Sequence, residues 1–342
     1  MRTKAVLDKL SLWVGTLEQP RNKRLILLLS ALTVAVFAFL NPMGVTPDYS
    51  GYISAFDRAR NASWSEMFPN RFAWEPGFAF VMFLLAKLIA DGALVFAAIV
   101  LLAASVKLIL FYRLSSPLAY LLVMVLFFFK FFPLQDYNQV RAAISLGFLL
   151  LVYYQWAWQN NLWLAITFSV LAVSFHYSSL AILPFLYAVR FDFCLDRLRT
   201  VLFGVLVFAA VLVGDYLIIE YVSQIVPRLA NRGVPIALGT LFSPIFYPEF
   251  FLIAISLLFW NDCTESMKRI VALQIVGFAI FWGAFNYDVI AIRIREAFSI
   301  FWLFYLVDFA KMSLRLRVSA LIFVAMNVVL GSYLFYFSSY LK

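Results

Sequence analysis

The sequence predicts an all-α, polytopic integral membrane protein. Hydrophobic residues occupy 65% of its 342 positions and charged residues only 13%, and the mean hydropathy is +0.92. This composition lies outside the range of soluble globular domains. Apolar runs long enough to cross a bilayer recur along the whole chain. They form continuous blocks, such as residues 202–213, without the alternation of polar and apolar positions that marks a membrane β-barrel.

The apolar runs divide the chain into about eleven transmembrane helices within a single transmembrane domain, residues 1–342. The expected helices cover residues 24–40, 93–112, 116–133, 139–158, 162–176, 178–190, 200–219, 246–260, 270–285, 296–310 and 318–338. A further apolar segment, 74–90, is long enough for a tilted span, and the distribution of charges decides how it is interpreted.

Basic residues indicate the orientation, because Lys and Arg near helix ends remain on the cytoplasmic side. The basic tail, residues 1–23, is therefore expected in the cytoplasm. A complete crossing by 74–90 would place outside the basic residues Arg113, Arg190, Arg197, Arg199, Lys311, Arg315 and Arg317. If 74–90 is re-entrant or interfacial, these residues become cytoplasmic together with Lys268 and Arg269, so we predict that it does not cross. The loops 41–73 and 220–245 are then extracytoplasmic.

Several arginines remain on the extracytoplasmic side, where the topology does not require them. They are Arg58, Arg60, Arg71, Arg141, Arg228, Arg232, Arg293 and Arg295. An anionic ligand would explain them, because a guanidinium matches phosphate oxygens in bidentate geometry. Ion pairing with nearby carboxylates is the alternative, and we favour it for the loop residues Arg58 and Arg60.

Arg141 is the strongest candidate among these arginines. It lies in the first turn of a helix that starts after Pro133, with Asn138 as a plausible N-cap. The N-terminus of this helix faces outward, and its free N–H groups and dipole favour an anion. An arginine there opposes the dipole unless an anion is present, so we expect Arg141 to bind an anionic group.

His176 is the only histidine and lies at the outer end of the helix predicted at 162–176, at the same level as Arg141. It has three interpretations. It could be a structural residue with its hydrogen bonds satisfied. Its neutral form could act as a general base or bind a sugar hydroxyl. Its charged form, which a helix C-terminus favours, could bind an anion.

A late polar group combines Asp288 with Arg293 and Arg295 at the outer edge of a predicted span. The two arginines are two positions apart, so on a helix their side chains diverge by about 200°. We therefore expect one of them to bind ligand and the other to pair with Glu296 or with lipid headgroups.

The segment 47–78 concentrates polar and aromatic residues between two apolar runs. Asp48 and Tyr52 are four residues apart and would share one face of a helix, while Tyr49 adds an aromatic face suited to a sugar ring. Such aromatic residues also form the ordinary interfacial belt of membrane proteins. Glu75 precedes a proline at a helix start, where it could complement the dipole, bind a sugar hydroxyl, or act as a general base with a raised pKa.

These short stretches together resemble one protein family. The order PDYSGY, WEPGF, NQVRAA, FHYSSL and a late arginine pair is similar to the EpsG-like branch of the Wzy-type polysaccharide polymerases, over most of the chain. The resemblance implies a bacterial inner-membrane enzyme of exopolysaccharide or O-antigen synthesis with its active site facing the periplasm. Such an enzyme transfers a growing glycan from one undecaprenyl-pyrophosphate carrier to the terminal sugar of another.

By motif, the resemblance carries roles over to Asp48, Tyr49, Tyr52, Glu75, Arg141 and His176. The chain departs from the pattern at Ala142, where a glutamine is expected after the arginine. The resulting candidate site has Glu75, Arg141, His176 and Asp48 as catalytic residues, and Tyr49, Tyr52, Arg71, Asn138, Arg232, Asp288, Arg293 and Arg295 as substrate-binding residues.

The chemistry that the resemblance implies agrees with these residue types. Glycosyl transfer from a pyrophosphate requires stabilisation of charge on the departing phosphate, which arginines and a helix N-terminus could supply without a metal. It also requires a base for the acceptor hydroxyl, for which Glu75, Asp48 and His176 are candidates. A single displacement would invert the anomeric centre. No cofactor is expected, and the sequence contains no HExxH, P-loop, dinucleotide-binding or nucleophile-elbow motif.

The expected partners are the lipid-linked glycan, as donor and as acceptor, and the bilayer, with no nucleic acid. Candidate protein partners are a chain-length regulator and a flippase of the same pathway. An O-antigen ligase or another glycosyltransferase that uses a lipid carrier is an alternative function, and a lipid-linked glycan flippase or transporter is an alternative of another class. A transporter would place charged residues near the bilayer midplane, whereas the predicted spans are almost free of charge there.

Overall fold

The computed structural model describes residues 19–40, 48–63, 66, 74–136, 139–217, 243–284 and 288–337. Within these residues the chain forms helices and connections and no β-strand. It separates into two compact units. Unit 1 comprises residues 1–155, 161–179 and 327–342, and unit 2 comprises residues 156–160 and 180–326.

In the first half of the chain the described residues form seven α-helices, several of them extended by π or 3-10 turns. They are α1 (Pro20–Leu40), α2 (Tyr49–Asn61), α3 (Pro76–Leu88), α4 (Gly92–Leu114), α5 (Pro117–Leu126), α6 (Val140–Tyr153) and α7 (Leu162–Phe175). A π-helical segment, Phe127–Asp136, continues α5, and another, Tyr154–Trp158, continues α6.

Seven further α-helices lie in the part of the second half that the structure describes. They are α8 (Leu183–Ala188), α9 (Arg197–Leu217), α10 (Tyr247–Leu258), α11 (Glu265–Gly283), α12 (Asp288–Ser299), α13 (Trp302–Val307) and α14 (Leu314–Phe337). Short 3-10 turns lie at Tyr177–Ala181, Asp192–Leu195, Pro244–Phe246, Trp260–Asp262 and Asp308–Lys311.

Six of the described helices are long and apolar enough to cross a membrane. They lie at Pro20–Phe39, Gly92–Leu114, Val140–Trp158, Arg197–Gly214, Glu265–Gly283 and Leu314–Tyr333. Five shorter apolar helices accompany them, at Pro76–Leu88, Pro117–Pro133, Leu162–Phe175, Tyr177–Ala188 and Pro244–Leu258. The helical membrane architecture is therefore confirmed, while the count of about eleven spans and the single-domain organisation stay predictions.

Two segments differ from the sequence-based prediction. Helix α2 lies inside the predicted loop 41–73, because Tyr52, Ala55, Phe56 and Ala59 form a buried helical stripe. The stripe is short and flanked by charged side chains, so its sequence pattern differs from that of a membrane-spanning helix.

The helix predicted at 296–310 begins earlier, at Asp288, and breaks between α12 and α13. At this break the 3-10-type bond from Leu303 N to Ile300 O, 3.1 Å long, replaces the α-helical pattern.

In unit 1, α4 packs against α1, α2 and α6, and α6 packs along α7. A Cβ at Gly147 of α6 would lie 3.4 Å from the Val106 side chain of α4, an ordinary van der Waals contact. In unit 2, α11 packs along α9 and α12. A Cβ at Gly277 of α11 would lie 2.7 Å from the Cβ of Phe298, so the α11–α12 pair depends on a small residue here.

Candidate functional site

Glu75 is the centre of a charged cluster in unit 1. It is the residue before α3, with Pro76 at the first helical position, and its side chain is only 7% exposed. Its Oε2 accepts a hydrogen bond from Nη1 of Arg141 at 2.7 Å, and its Oε1 lies 2.9 Å from Nδ1 of His176. Three candidates named from the sequence therefore meet in one place, although 66 and 101 residues separate the partners from Glu75.

A close contact between helices brings Glu75 to His176. A Cβ at Gly77, in the first turn of α3, would lie 2.5 Å from Oγ of Ser174 and 2.9 Å from its carbonyl oxygen. Only glycine allows the start of α3 to approach the end of α7 this closely. His176 terminates α7, with its N–H bonded to the carbonyl of Ala172 at 3.0 Å, so its ring projects beside the start of α3.

The helix that carries Arg141 is fixed to the same end of α7. Ser145, one turn after Arg141 on α6, donates to the carbonyl of Ala172 at 2.8 Å and hydrogen-bonds Ser179. Both serines are buried. Because residues four apart share a helix face, these bonds set the rotation of α6 that directs Arg141 towards Glu75.

Arg141 lies in the first turn of α6 with its side chain 26% exposed. Its guanidinium lies 5.3 Å from the ring centroid of Trp74, within the range of a cation–π contact. Its Nε atom is buried without a hydrogen-bond partner among the described residues. The anion that the sequence predicts at this position is supplied here by the Glu75 carboxylate, and the guanidinium still has unused donors.

Aromatic side chains enclose one side of the cluster. The ring centroid of Tyr52 lies 5.8 Å from those of Trp74 and Phe78 and 5.9 Å from that of Phe96. Tyr49 packs edge-on against Phe96 at 5.1 Å. Tyr52 is 4% exposed, and burial raises the pKa of its phenol despite the nearby positive charge of Arg141. Tyr52 therefore contributes a neutral, buried wall of the site.

A second charged pair in unit 1 was not anticipated from the sequence. Nζ of Lys107, in the middle of α4, lies 2.5 Å from Oδ1 of Asp136 and 2.9 Å from the carbonyl oxygen of Ala143, and both charged side chains are fully buried. Oδ2 of Asp136 has no hydrogen-bond partner within the described part of the chain. The sequence does contain a signal for this pair, because a lysine inside an apolar run requires a charged or polar partner.

The protonation of Glu75 differs from the expectation. Burial alone would raise the pKa of this carboxyl, but the hydrogen bond from His176, the backbone and the charge of Arg141 outweigh it and lower the pKa to about 2. The expected raised pKa is therefore wrong for this arrangement of the cluster. Glu75 is an ionised ion-pair partner at neutral pH, and in this state it is a poor general base.

Acidification should weaken the cluster. A carboxyl with a folded-state pKa of about 2, against an ordinary value of 4.5, stabilises the fold fully above pH 4.5 and loses that contribution as the pH falls through about 2. We expect the thermal midpoint of the wild type in detergent to fall more steeply between about pH 5 and pH 3 than that of Glu75→Gln, whose amide does not titrate. Parallel curves for the two proteins would contradict the ion pairs.

The structure describes some of the other candidate residues, and others lie outside the described residues. Asp48 is half-buried at the start of α2, close enough to Tyr52 for its charge to act on the phenol. Arg71, Asn138 and Arg232 lie outside the described residues. Their proposed roles stay predictions.

Arg293 and Arg295 lie on α12 in unit 2 and face opposite sides, as their spacing predicts. Arg293 is exposed, whereas Arg295 is fully buried. Arg295 forms an ion pair with Glu249 of α10 and donates from Nη1 to Oε1 of Gln274 at 2.9 Å. Its guanidinium also lies 3.7 Å from the centroid of Phe278. Arg295 therefore has Glu249 as a carboxylate partner, and the pairing of either arginine with Glu296 stays a prediction. Asp288 begins α12, but its side chain lies outside the described residues.

The described residues contain no group of three or more His, Cys, Asp and Glu side chains that could hold a metal ion. The polar groups of the site in unit 1 are instead one carboxylate, one guanidinium and one imidazole, bordered by aromatic rings. Such a set can bind an anion, orient hydroxyl groups and move a proton.

A bundle of apolar helices with a charged cluster of this kind defines an integral membrane protein with a polar site. The family model described as "EpsG family" matches residues 24–342. The chain belongs to the EpsG family, the family of Wzy-type polysaccharide polymerases. No curated protein and no solved structure matches the chain.

Proposed function

We propose that this protein polymerises oligosaccharide repeat units carried on undecaprenyl pyrophosphate, at the periplasmic face of the bacterial inner membrane. The observation that carries this proposal is the Glu75–Arg141–His176 cluster at the N-terminus of α6, in a chain of the EpsG family. A flippase and a chain-length regulator of the same pathway are the proposed protein partners.

Arg141 is the proposed ligand of the donor pyrophosphate. Its guanidinium already binds one carboxylate oxygen of Glu75, and a phosphate oxygen can take the same position on the fork. The N-terminus of α6 adds free N–H groups and the positive end of its dipole. Both features stabilise the negative charge that develops on the pyrophosphate as the glycosidic C–O bond breaks.

The reaction that we propose is a single displacement. The acceptor hydroxyl oxygen attacks the anomeric carbon of the donor, the pyrophosphate departs with the bonding electrons, and the configuration inverts. When the pyrophosphate binds Arg141, the guanidinium no longer pairs with Glu75. The pKa of the Glu75 carboxyl then rises towards its ordinary value. Glu75, with His176 attached, then becomes a better acceptor for the hydroxyl proton, and Asp48 is the other candidate.

The contacts around α3 support a topology in which residues 74–90 do not cross the membrane, and the basic residues of the tail 1–23 support a cytoplasmic N-terminus. Helix α3 has 13 residues and so spans only about 20 Å. Near its start, Phe78 contacts Tyr52, which also contacts Phe96 in the second turn of α4. Near its end, Nζ of Lys87 binds the carbonyl of Arg60 at 2.7 Å.

The end of α3 also lies close to the start of α4. Nη1 of Arg60 donates to the carbonyl of Ala90, two residues before α4 begins, at 2.6 Å. Both ends of α3 are thus tied, through α2, to the first turns of α4. If residues 74–90 crossed the membrane, the start of α3 would instead lie beside the end of α4, on the other side of the bilayer.

A transporter of lipid-linked glycans is the second candidate function. The buried Lys107–Asp136 pair favours it, because charged residues inside a helical bundle often mark a transport pathway. It also weakens the earlier inference that the spans are almost free of charge. A ligase remains the nearest alternative enzyme, since the same site could pass the glycan to a different acceptor.

Purified protein in liposomes, supplied with a lipid-linked repeat unit alone, separates these functions. A polymerase is expected to yield a ladder of lipid-linked oligomers together with free undecaprenyl pyrophosphate. A ligase would form product only after a second acceptor is added, and a transporter would move the substrate between leaflets without forming a glycosidic bond. Absence of a ladder from folded, substrate-binding protein would overturn the proposal.

A further inference from the structure

Unit 2 contains a cavity of about 540 Å³ at the end predicted to face the cytoplasm. One wall is the start of α9, with Asp196, Arg197 and Leu198. The opposite wall runs from the end of α10 to the first turn of α11 and includes Trp260 and Lys268. None of these residues belongs to the cluster around Glu75.

Hydrogen bonds join the two walls of the cavity and fix their relative position. Nε1 of Trp260 donates to the carbonyl of Leu195 at 2.9 Å, and Nη1 of Arg197 reaches the carbonyl of Leu257 at 3.4 Å. Both bonds join segments that are about sixty residues apart in the sequence. The cavity is therefore formed by connected elements of unit 2.

The charges in the lining are balanced. Arg197 and Lys268 provide two cations, and Asp196 and Asp262 provide two carboxylates. Asp196 uses Oδ1 to accept the N–H of Arg199 at 2.8 Å, and Nζ of Lys268 lies 5.8 Å from the centroid of the Trp260 ring, a cation–π contact inside the lining. Equal numbers of both signs suit a ligand that carries a negative and a positive group.

The rim of the cavity is apolar. Leu198 is 66% exposed and Leu258 is 67% exposed, and both contribute to the lining. Exposed leucines at the ends of apolar helices are suited to contact with acyl chains. A ligand that fills the cavity and covers its rim therefore has a polar head and a hydrocarbon tail.

We propose that this cavity binds the headgroup of a phospholipid that carries a phosphate and a primary ammonium, as in phosphatidylethanolamine. The phosphate binds Arg197 and Lys268, the ammonium donates hydrogen bonds to Asp262, and the acyl chains pass along Leu198 and Leu258. Pockets between transmembrane helices on the cytoplasmic side bind lipid headgroups through basic side chains, and Arg197 and Lys268 take that role here. Lipid binding here is independent of the proposed polymerase reaction.

Brominated lipids test this proposal, because bromine quenches tryptophan fluorescence at short range and Trp260 lines the cavity. The protein is placed in nanodiscs that contain brominated phosphatidylethanolamine or brominated phosphatidylcholine at equal mole fraction. Subtracting the signal of Trp260→Phe isolates the quenching of Trp260. Both headgroups are neutral overall, but only the ethanolamine can donate hydrogen bonds, so we expect phosphatidylethanolamine to be preferred about tenfold.

Matched variants assign the contacts. Lys268→Gln is expected to weaken quenching by both lipids about fivefold, and Asp262→Asn to remove only the preference for ethanolamine. Arg199→Gln and Asp192→Asn remove the same charges from neighbouring residues that do not line the cavity, and they should behave as wild type.

Three results would overturn the proposal. The first is equal quenching of Trp260 by the two brominated lipids. The second is an ethanolamine preference that persists in Asp262→Asn. The third is displacement of the brominated lipid by soluble phosphoethanolamine at the concentration at which intact lipid displaces it, because the acyl chains would then contribute nothing.

Discussion

Arg141→Gln is expected to abolish polymer formation by folded protein. Glutamine keeps much of the side-chain length but lacks the guanidinium, whose Nη1 lies 2.7 Å from Oε2 of Glu75. It therefore also lacks the positive charge that would stabilise the departing pyrophosphate. Loss of one such interaction lowers a rate by about 10²–10³-fold, and here the anion also loses its main cation. The liposome assay measures the change as the rate at which the oligomer ladder forms.

Two further variants make this prediction specific. Arg141→Lys keeps the charge but not the planar fork, so we expect an activity between those of the wild type and Arg141→Gln. Arg58→Gln removes an exposed arginine from α2 and should leave the rate unchanged. A ladder of normal length and rate from Arg141→Gln would remove Arg141 from the active site.

Lys107→Met is expected to have the largest effect on stability. It leaves the carboxylate of Asp136 fully buried without its cation, and it removes the donor that binds the Ala143 carbonyl at 2.9 Å. Breaking a buried ion pair from one side costs about 3–5 kcal/mol. The thermal midpoint and denaturant sensitivity in detergent measure this loss, and Arg113→Gln, at an exposed position on the same helix, provides the control.

The double variant Lys107→Met/Asp136→Leu should recover most of the stability, because an apolar pair of similar volume replaces a buried ion pair with little cost. Its polymerase activity then shows whether the charges serve more than the fold. The single variant must be less stable than the double variant. If the two are equally stable, the pair does not hold unit 1 together.

The sequence predicts the apolar helices well, since each is a continuous hydrophobic run that has few structural alternatives. It predicts α2 poorly. The buried stripe of this helix includes only four residues and lies among Asp57, Arg58 and Arg60, so local composition favours a loop. Packing against α3 and α4 overrides that preference, and such packing depends on contacts that a local pattern does not contain.

The candidate site likewise depends on contacts between distant parts of the chain that a local sequence pattern does not contain. Glu75, Arg141 and His176 are each identifiable from their helix ends, but their convergence on one carboxylate depends on Gly77 lying against Ser174. The low pKa of Glu75 follows from that convergence and contradicts the expectation made for an isolated shielded carboxyl. The partner of Lys107 is equally hidden, because Asp136 reaches it only at the end of a π-helical segment.

The carboxylate of Glu75 has a consequence for turnover. With both oxygens engaged, it occupies Nη1 of Arg141, so a phosphate that binds through this nitrogen must displace it. A weakly charged ligand gains too little to do so, whereas a pyrophosphate carries more charge and more acceptor oxygens. The same carboxylate returns to Arg141 when the spent carrier leaves. Glu75 would thereby speed product release, and a variant lacking it would hold pyrophosphate longer even if each transfer were still possible.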